Sequence, residues 1–256
     1  MEDTSILDLP PPPADARVPY GGDPNQFGDV RVPKSAGPHP VVVNIHGGFW
    51  RARYDLAHAG HLCAALAQAG IASWNLEYRR VGNAGGGWPG SFEDVTQGFL
   101  FLREIAERFA LNTKRVAIMG HSAGGQLALV LAAHQLEARG AVSLAGVVDL
   151  RRAWELKLSN DAVGEFLGGA PERVPDHYRE ASPIELLMPK TRQRLLHGAA
   201  DTIVPPELSR RYRERKQAAH EDVRLTEIAG AGHFELIDPR TKAWGAVLST
   251  VKQIIA

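Results

Sequence analysis

The feature that most constrains the fold of this chain is an alternation of short apolar, β-rich runs with longer helical patterns from residue 41 onward. Such alternation is typical of a parallel sheet covered on both faces, because each crossover between parallel strands needs a connection of helical length. The predicted strands, after a short one at 29–33, are 41–45, 71–78, 115–120, 140–148, 192–198 and 223–228. The sequence therefore predicts an α/β fold with a mostly parallel central sheet and helices on both faces.

One helical pattern, at residues 123–138, is apolar on most of its sides. Leu127, Val130, Leu131 and Leu136 recur near helical spacing among many alanines. An amphipathic surface helix would keep one polar face, so this helix is predicted to be buried on most sides.

Two stretches of the chain depart from the alternation of strands and helices. The whole chain has 256 residues, a length that suits one large domain. Residues 1–19 are acidic and proline-rich, which predicts a flexible arm. Residues 150–190 lack the alternation of strand and helix patterns and are predicted to form short helices and turns. These short elements are expected to form a small helical cap that is inserted over one end of the sheet. We therefore expect a single domain over residues 1–256 that carries these two additions.

Charge and composition argue against several function classes. The chain has 29 Lys and Arg against 29 Asp and Glu, so it lacks the basic excess expected of proteins that bind nucleic acid or anionic membranes. Its single cysteine, Cys63, excludes an intrachain disulfide and a cysteine metal cluster, and its helical context predicts a buried thiol. No apolar run reaches the roughly 18 residues of a membrane span, and the first residues do not resemble a signal peptide. A soluble, cytoplasmic protein is expected.

The stretch GHSAGG at residues 120–125 contains the pattern G-x-S-x-G between a predicted strand and a predicted helix. That context is the one a nucleophile elbow requires. Gly120 and Gly124 are expected because a Cβ at either position would clash in the sharp turn. Ser122 is therefore the predicted nucleophile, at the C-terminal end of the sheet, with a helix N-terminus behind it that favours developing negative charge.

A serine hydroxyl needs a base to remove its proton, so the pattern predicts a histidine and an acid further along the chain. Asp201 follows one predicted strand and His233 follows the next, so both belong to loops at the end of the sheet that carries Ser122. His220 precedes a predicted strand and belongs at the opposite end. Asp149, at the end of an earlier strand, stays open as the rival acid, because a triad is defined by geometry.

The stretch HGGFW at residues 46–50 directly follows the predicted strand 41–45. Attack on an acyl carbon creates an oxyanion that needs fixed N–H donors from two chain segments. Ala123, after the nucleophile, is predicted to supply one donor. Gly47 and Gly48 are predicted to supply the other, with the N–H of Phe49 as a further candidate.

Several residues near these motifs are predicted to shape the substrate pocket or support its loops. Phe49 and Trp50 are predicted to form the acyl or aryl pocket. Trp88 ends a glycine-rich stretch that either lines the mouth of the pocket or simply connects a strand to a helix. His46 and His121 are interpreted as hydrogen-bonding residues that fix loops, because a neighbour in a tight turn points away from the nucleophile.

Four motifs, HGGFW, GHSAGG, HGAADTIVP and AGAGHFELI, occur in the order that the α/β-hydrolase superfamily has, and the chain resembles that superfamily. Within it the chain is similar to the esterase branch with an HGG oxyanion loop, which includes hormone-sensitive-lipase-like esterases and the kynurenine formamidases (arylformamidases). Two departures are notable: Phe49 and Trp50 follow only two glycines, and Glu77 occupies the first position of a segment that resembles D-Y-R. Both favour a small-acyl or aryl-directed pocket.

The resemblance implies a serine esterase that cleaves small carboxylic esters through an acyl-enzyme, with no metal and no organic cofactor. His233 is expected to take the proton of Ser122 and pass it to the leaving group, while Asp201 orients the imidazole. Two alternatives stay open: an arylformamidase that cleaves N-formylkynurenine-type aryl amides, and a non-catalytic binding protein of the same fold. The expected partner is thus a small-molecule ester or aryl amide. The resemblance to the family also implies a homodimer.

Overall fold

A computed structural model describes residues 2–135 and 137–256 of the chain. Its centre is an eight-stranded sheet with the order β1-β2-β4-β3-β5-β6-β7-β8. The strands are β1 (Ala16–Pro19), β2 (Phe27–Arg31), β3 (His39–Ile45), β4 (Ala72–Leu76), β5 (Leu111–His121), β6 (Ala141–Leu144), β7 (Gln193–Gly198) and β8 (Val223–Ile228). Strands β3 to β8 run parallel, whereas β2 is antiparallel to both β1 and β4.

Helices pack on both faces of this sheet. They are α1 (Gly60–Gln68), α2 (Gly90–Ala106), α3 (Ala123–His134), α4 (Leu150–Glu155), α5 (Ala162–Leu167), α6 (Pro175–Ala181), α7 (Glu207–Ala218) and α8 (Ala243–Ile255). Side chains of α1 and α8 belong to one apolar cluster, and those of α2, α3 and α7 belong to the other. No helix among the described residues is long and apolar enough to cross a membrane.

The central strands alternate between the two apolar clusters. In β3, Val41 and Val43 belong to the cluster around α3, and Val42 belongs to the cluster around α1 and α8. Because successive side chains of a strand point to opposite faces, an unbroken apolar run is the pattern of a strand that is covered on both sides.

Helix α3 lies against the centre of the sheet and is almost entirely buried. Leu127, Val130 and Leu131 are fully buried, as the sequence predicts for this helix. Leu136, the fourth residue of that prediction, lies outside the described residues. Cys63 in α1 is also buried and carries a free thiol, as predicted.

Two segments differ in detail from the predictions, and a third agrees with them. The predicted strand 140–148 ends at Leu144, because Ala145 adopts a φ of 48° and turns the chain out of the sheet. Residues 150–190 form α4, α5, α6 and a 3-10 turn, in agreement with the predicted short helices. Residues 1–19 are predicted to be a flexible arm, but they contain a 3-10 turn at Ser5–Asp8 and the strand β1, paired with β2.

Candidate active site

Ser122 lies in a sharp turn between the last residue of β5 and the first residue of α3. Its φ of 57° and ψ of −120° place it outside the regions that a residue with a Cβ prefers, so its backbone is strained. A Cβ on Gly120 would lie 2.1 Å from the carbonyl oxygen of Gly124, and a Cβ on Gly124 would lie 2.1 Å from the carbonyl oxygen of Ile45. The predicted need for glycine at both positions is confirmed.

His233 and Asp201 meet at the same end of the sheet. The Nδ1 of His233 lies 2.7 Å from Oδ2 of Asp201, and both side chains are buried. Because a carboxylate accepts hydrogen bonds, this contact assigns the proton to Nδ1 and leaves Nε2 free to accept one. The His233 ring and Ser122 line one cavity.

The carboxylate of Asp201 is held by several donors besides His233. The backbone N–H groups of Ile203 and Val204 donate to its Oδ1 over 2.9 and 2.8 Å. The Nε2 of His197 lies 2.8 Å from the carbonyl oxygen of Val204 and 3.2 Å from Oδ2 of Asp201, contacts that no sequence motif predicts. Burial acts to raise the pKa of Asp201, but the hydrogen bonds from His197 and His233 outweigh it and lower that pKa well below its usual value. Asp201 is therefore an ionised partner for His233.

Asp149, the rival acid, is engaged elsewhere. Its Oδ1 accepts a hydrogen bond from the N–H of Arg152 over 3.0 Å and caps α4, while its Oδ2 lies 3.0 Å from Nε of Arg211. The carboxylate that bonds to the ring of His233 is that of Asp201. The contact geometry thus favours Asp201 over Asp149, and the role of Asp201 as the catalytic acid stays a prediction.

The HGG segment runs beside the nucleophile. A Cβ on Gly47 would lie 3.0 Å from the Cβ of Ser122, and Gly48 has a φ of +111° and lines the cavity. Among the described residues, the N–H groups of Gly47, Gly48, Phe49 and Ala123 have no hydrogen-bond acceptor. These are free donors of the kind that an oxyanion needs, although which of them would bind it stays a prediction.

A buried network holds the HGG segment in place. The Nε2 of His46 lies 3.0 Å from Oε1 of Glu77, and the hydroxyl of Tyr78 donates to the carbonyl oxygen of His46 over 2.9 Å. The other oxygen of Glu77 accepts from the N–H of Leu56 over 3.0 Å. Burial acts to raise the pKa of Glu77, but His46 and Arg80 lower it. Glu77, noted in the sequence only as a departure from D-Y-R, is thus an anchor for this segment.

The two aromatic residues of HGGFW differ in their surroundings. Phe49 lines the cavity, and its predicted contact with substrate stays a prediction. Trp50 is fully buried in the core: its ring stacks on Phe166 with centroids 4.4 Å apart, and its Nε1 donates to Oε1 of Gln126 over 2.9 Å. Both backbones have positive φ, 50° and 56°, and the two rings meet edge-on with their centroids 6.4 Å apart. The prediction that Trp50 shapes the pocket is wrong.

Trp88 also lies away from the cavity. Its ring stacks on Phe92 with centroids 5.3 Å apart and meets Phe166 edge-on at 6.2 Å. It is not among the residues that line the cavity. The prediction of Trp88 as a pocket residue is therefore wrong, and the connecting role that the sequence leaves open is the one found here.

The cavity beside Ser122 has a volume of about 140 Å³. Its apolar side chains are Leu7, Phe49, Tyr54, Ile203 and Phe234. Its polar side chains are His58, His121, Ser122, Ser159 and His233. Ser159 belongs to residues 150–190, which therefore contribute to the cavity wall. Five of the lining residues were not predicted: Leu7, Tyr54, His58, Ile203 and Phe234. Ile203 and Phe234 lie within the motifs HGAADTIVP and AGAGHFELI, whereas the other three lie outside the four motifs.

Two further histidines in this cavity are held neutral. Burial, together with the neighbouring His46, lowers the pKa of His58 to about 3. Burial, together with His233, lowers the pKa of His121 well below its usual value. The Nε2 of His121 lies 3.1 Å from the carbonyl oxygen of His233, so its ring supports the loop of that residue, as interpreted from the sequence.

Comparison with known proteins places the chain in a family. The BD-FAE family model matches residues 29–215, well over half of the chain. The chain belongs to the BD-FAE family. The BD-FAE match contains Ser122, Asp201 and the HGG segment, whereas His233 follows it. This membership agrees with the predicted α/β-hydrolase fold and HGG-loop esterase branch, and both predictions are confirmed.

The curated relatives of this BD-FAE member are longer proteins. The chain is similar to "Esterase LipC" of Mycobacterium tuberculosis, with 29% identity over 87% of this chain and 60% of the relative. It is also similar to "Probable isoprenylcysteine alpha-carbonyl methylesterase ICMEL2" of Arabidopsis thaliana, with 26% identity over 86% of this chain and 57% of the relative. The chain thus spans less than two thirds of the length of either relative.

Solved structures share the fold. A "Truncated form of carbohydrate esterase from gut microbiota" superimposes with a TM-score of 0.82 and 20% identity, over 94% of this chain and 98% of that one. At this identity the similarity supports the α/β-hydrolase fold and carries no substrate information.

Proposed function

We propose that this protein is a serine carboxylesterase that cleaves small carboxylic esters through an acyl-enzyme. The observation that carries the proposal is the contact of 2.7 Å between the ionised carboxylate of Asp201 and Nδ1 of His233, in a cavity shared with the strained Ser122. Nucleophile, base and orienting acid are the three roles that acyl transfer by a serine requires. The names of the curated relatives, an esterase and a probable methylesterase, support the same reaction class.

In the proposed mechanism, Nε2 of His233 takes the proton of the Ser122 hydroxyl as the oxygen attacks the ester carbonyl carbon. Asp201 stabilises the imidazolium that forms, and the free N–H groups of Gly47, Gly48 and Ala123 stabilise the oxyanion. His233 then protonates the leaving alcohol, which leaves an acyl-enzyme. Water, deprotonated by His233, releases the acid and restores the Ser122 hydroxyl.

The cavity supports a small substrate. A volume of about 140 Å³ is below the roughly 300–1,000 Å³ of pockets for drug-sized ligands. Its apolar wall suits a short alkyl chain. One of the features that favoured an aryl-directed pocket was Trp50 in the HGGFW stretch, and this ring is buried in the core. An ester therefore has better support than an aryl amide.

The test compares two buried serines. Ser122→Ala should lower kcat for p-nitrophenyl acetate by roughly 10⁴-fold or more, because the nucleophile is lost. Ser143→Ala is the matched control: Ser143 is also buried close to the start of α3, but its hydroxyl has no hydrogen-bond partner and lies outside the cavity. The kcat of Ser143→Ala should stay within about twofold of the wild-type value, since no hydrogen bond is lost.

Labelling by a fluorophosphonate, followed by intact mass measurement, checks the nucleophile directly. The wild type and Ser143→Ala should each gain one label, and Ser122→Ala should gain none. Full activity of Ser122→Ala would overturn the proposal. A labelled wild type without turnover on a broad ester panel would instead indicate the non-catalytic binding protein. The expected cytoplasmic location and homodimer stay predictions.

A further inference from the structure

Residues 2–12, which we call the N-terminal clasp, contact at their start the two loops that carry Asp201 and His233. The Oε2 of Glu2 accepts a hydrogen bond from the N–H of His233 over 2.7 Å. Its Oε1 accepts from the N–H and the hydroxyl of Thr202, over 2.7 and 3.0 Å. One carboxylate thus bridges the loop after β7 and the loop after β8. Charge-assisted bonds of this kind are among the stronger hydrogen bonds in proteins.

Further contacts hold the rest of the clasp against the body. Ile6 is 1% exposed and belongs to the same apolar cluster as Leu236 and Ile237. The Nε2 of His61, in α1, lies 3.3 Å from the carbonyl oxygen of Leu9. The Nη2 of Arg31, in β2, donates to the carbonyl oxygen of Pro12 over 2.7 Å. The clasp is therefore attached at its start, its middle and its end.

These attachments bring one side chain of the clasp to the active-site cavity. The 3-10 turn Ser5–Asp8 directs Ile6 into the core, and the next residue, Leu7, lines the cavity with Ser122 and His233. Leu7 is 40% exposed, so it lies where the cavity opens to solvent. Leu9 is 38% exposed on the same clasp but does not line the cavity.

We propose that Leu7, held in place by Glu2 and Ile6, is a specificity-determining residue that restricts the enzyme to esters with short chains. This inference rests on the proposed esterase function and deepens it. In a cavity of about 140 Å³, one leucine is a substantial part of the wall. Shortening it to alanine opens the mouth to longer alkyl chains, and enlarging it closes the mouth further.

The test measures kcat/KM for p-nitrophenyl acetate, butyrate and octanoate. Leu7→Ala should raise the octanoate-to-acetate ratio by about 10-fold, the lower end of the discrimination that one methylene group in an apolar pocket supplies. Leu7→Phe should lower the same ratio. Leu9→Ala, the matched control, should leave it unchanged within about twofold, since it removes a similarly exposed leucine that does not line the cavity.

A second variant tests the attachment of the clasp. Glu2→Ala should shift the octanoate-to-acetate ratio in the same direction as Leu7→Ala, through KM for octanoate, because the start of the clasp is released. Octanoate-to-acetate ratios that are equal in the wild type, Leu7→Ala and Leu7→Phe would overturn the inference alone. Absence of hydrolysis of all three esters by the wild type would overturn the proposed function, and this inference with it.

Discussion

Trp50→Phe tests whether the residue that the sequence predicts to face the substrate instead stabilises the core. The Trp50 ring is fully buried, stacks on Phe166 at an interplanar angle of 9°, and donates its Nε1 proton to Oε1 of Gln126. Phenylalanine keeps an aromatic ring against Phe166 but removes the N–H donor and part of the ring volume. The change therefore acts on one hydrogen bond and on core packing.

The size of the effect follows from these two losses. A buried acceptor on Gln126 that is left without a donor costs about 1–3 kcal/mol. The space left by the smaller ring costs a further ~1–2 kcal/mol in a close-packed core. The free energy of unfolding should thus fall by about 2–5 kcal/mol, which for a domain of this size lowers Tm by roughly 4–20 °C.

Urea and thermal unfolding, followed by circular dichroism, measure this loss. The same variant should keep the wild-type octanoate-to-acetate ratio, because its ring does not line the cavity. Phe49→Leu is the matched control, since it changes a ring that does line the cavity and should shift the ratio. Unchanged stability together with an altered ratio in Trp50→Phe would refute the reasoning.

A double-mutant cycle isolates the hydrogen bond. Gln126→Leu removes the acceptor of Trp50 and also the donor to the carbonyl oxygen of Ala181, 2.7 Å away. The double variant Trp50→Phe/Gln126→Leu lacks both the donor and the acceptor of this hydrogen bond, so neither group is left buried without its partner. Its loss of stability should therefore be smaller than the sum of the single losses, by on the order of 1 kcal/mol. Strict additivity would argue against this bond.

Two further predictions concern charge. Asp201→Asn should lower kcat by on the order of 10³–10⁴-fold, because the amide favours the wrong tautomer of His233. The kcat of Asp149→Asn should stay within about twofold of the wild-type value, since this variant loses only its contact with Arg211. Equal kcat values for the two variants would refute the assignment of Asp201 as the catalytic acid. His58 has a pKa of about 3 in the folded state and about 6.5 when unfolded, so the unfolded chain binds more protons between these values. The free energy of unfolding should therefore fall as the pH decreases from 7 to 5. Urea unfolding at pH 7, 6 and 5 should give a shallower fall for His58→Gln than for the wild type. Identical pH dependences of the two proteins would contradict this prediction.

Much of the candidate site could be predicted from the sequence because local sterics and strand direction determine it. Gly120 and Gly124 are needed wherever a serine stands at a strained turn between a strand and a buried helix, and contacts near 2 Å to backbone oxygens reproduce that need. The loops after parallel strands meet at one end of the sheet, so the alternation of elements alone brings the segments of Ser122, Asp201 and His233 together.

What the sequence by itself determined is thus the α/β-hydrolase fold and the set of loops that form the candidate site, since both follow from short-range patterns. Only the tertiary structure decided which acid meets His233, which way Trp50 points, and that Glu2 binds the N–H of a residue 231 positions away. These outcomes depend on distances of a few ångströms between segments remote in the sequence. No periodicity encodes such distances, because they result from how the whole core packs.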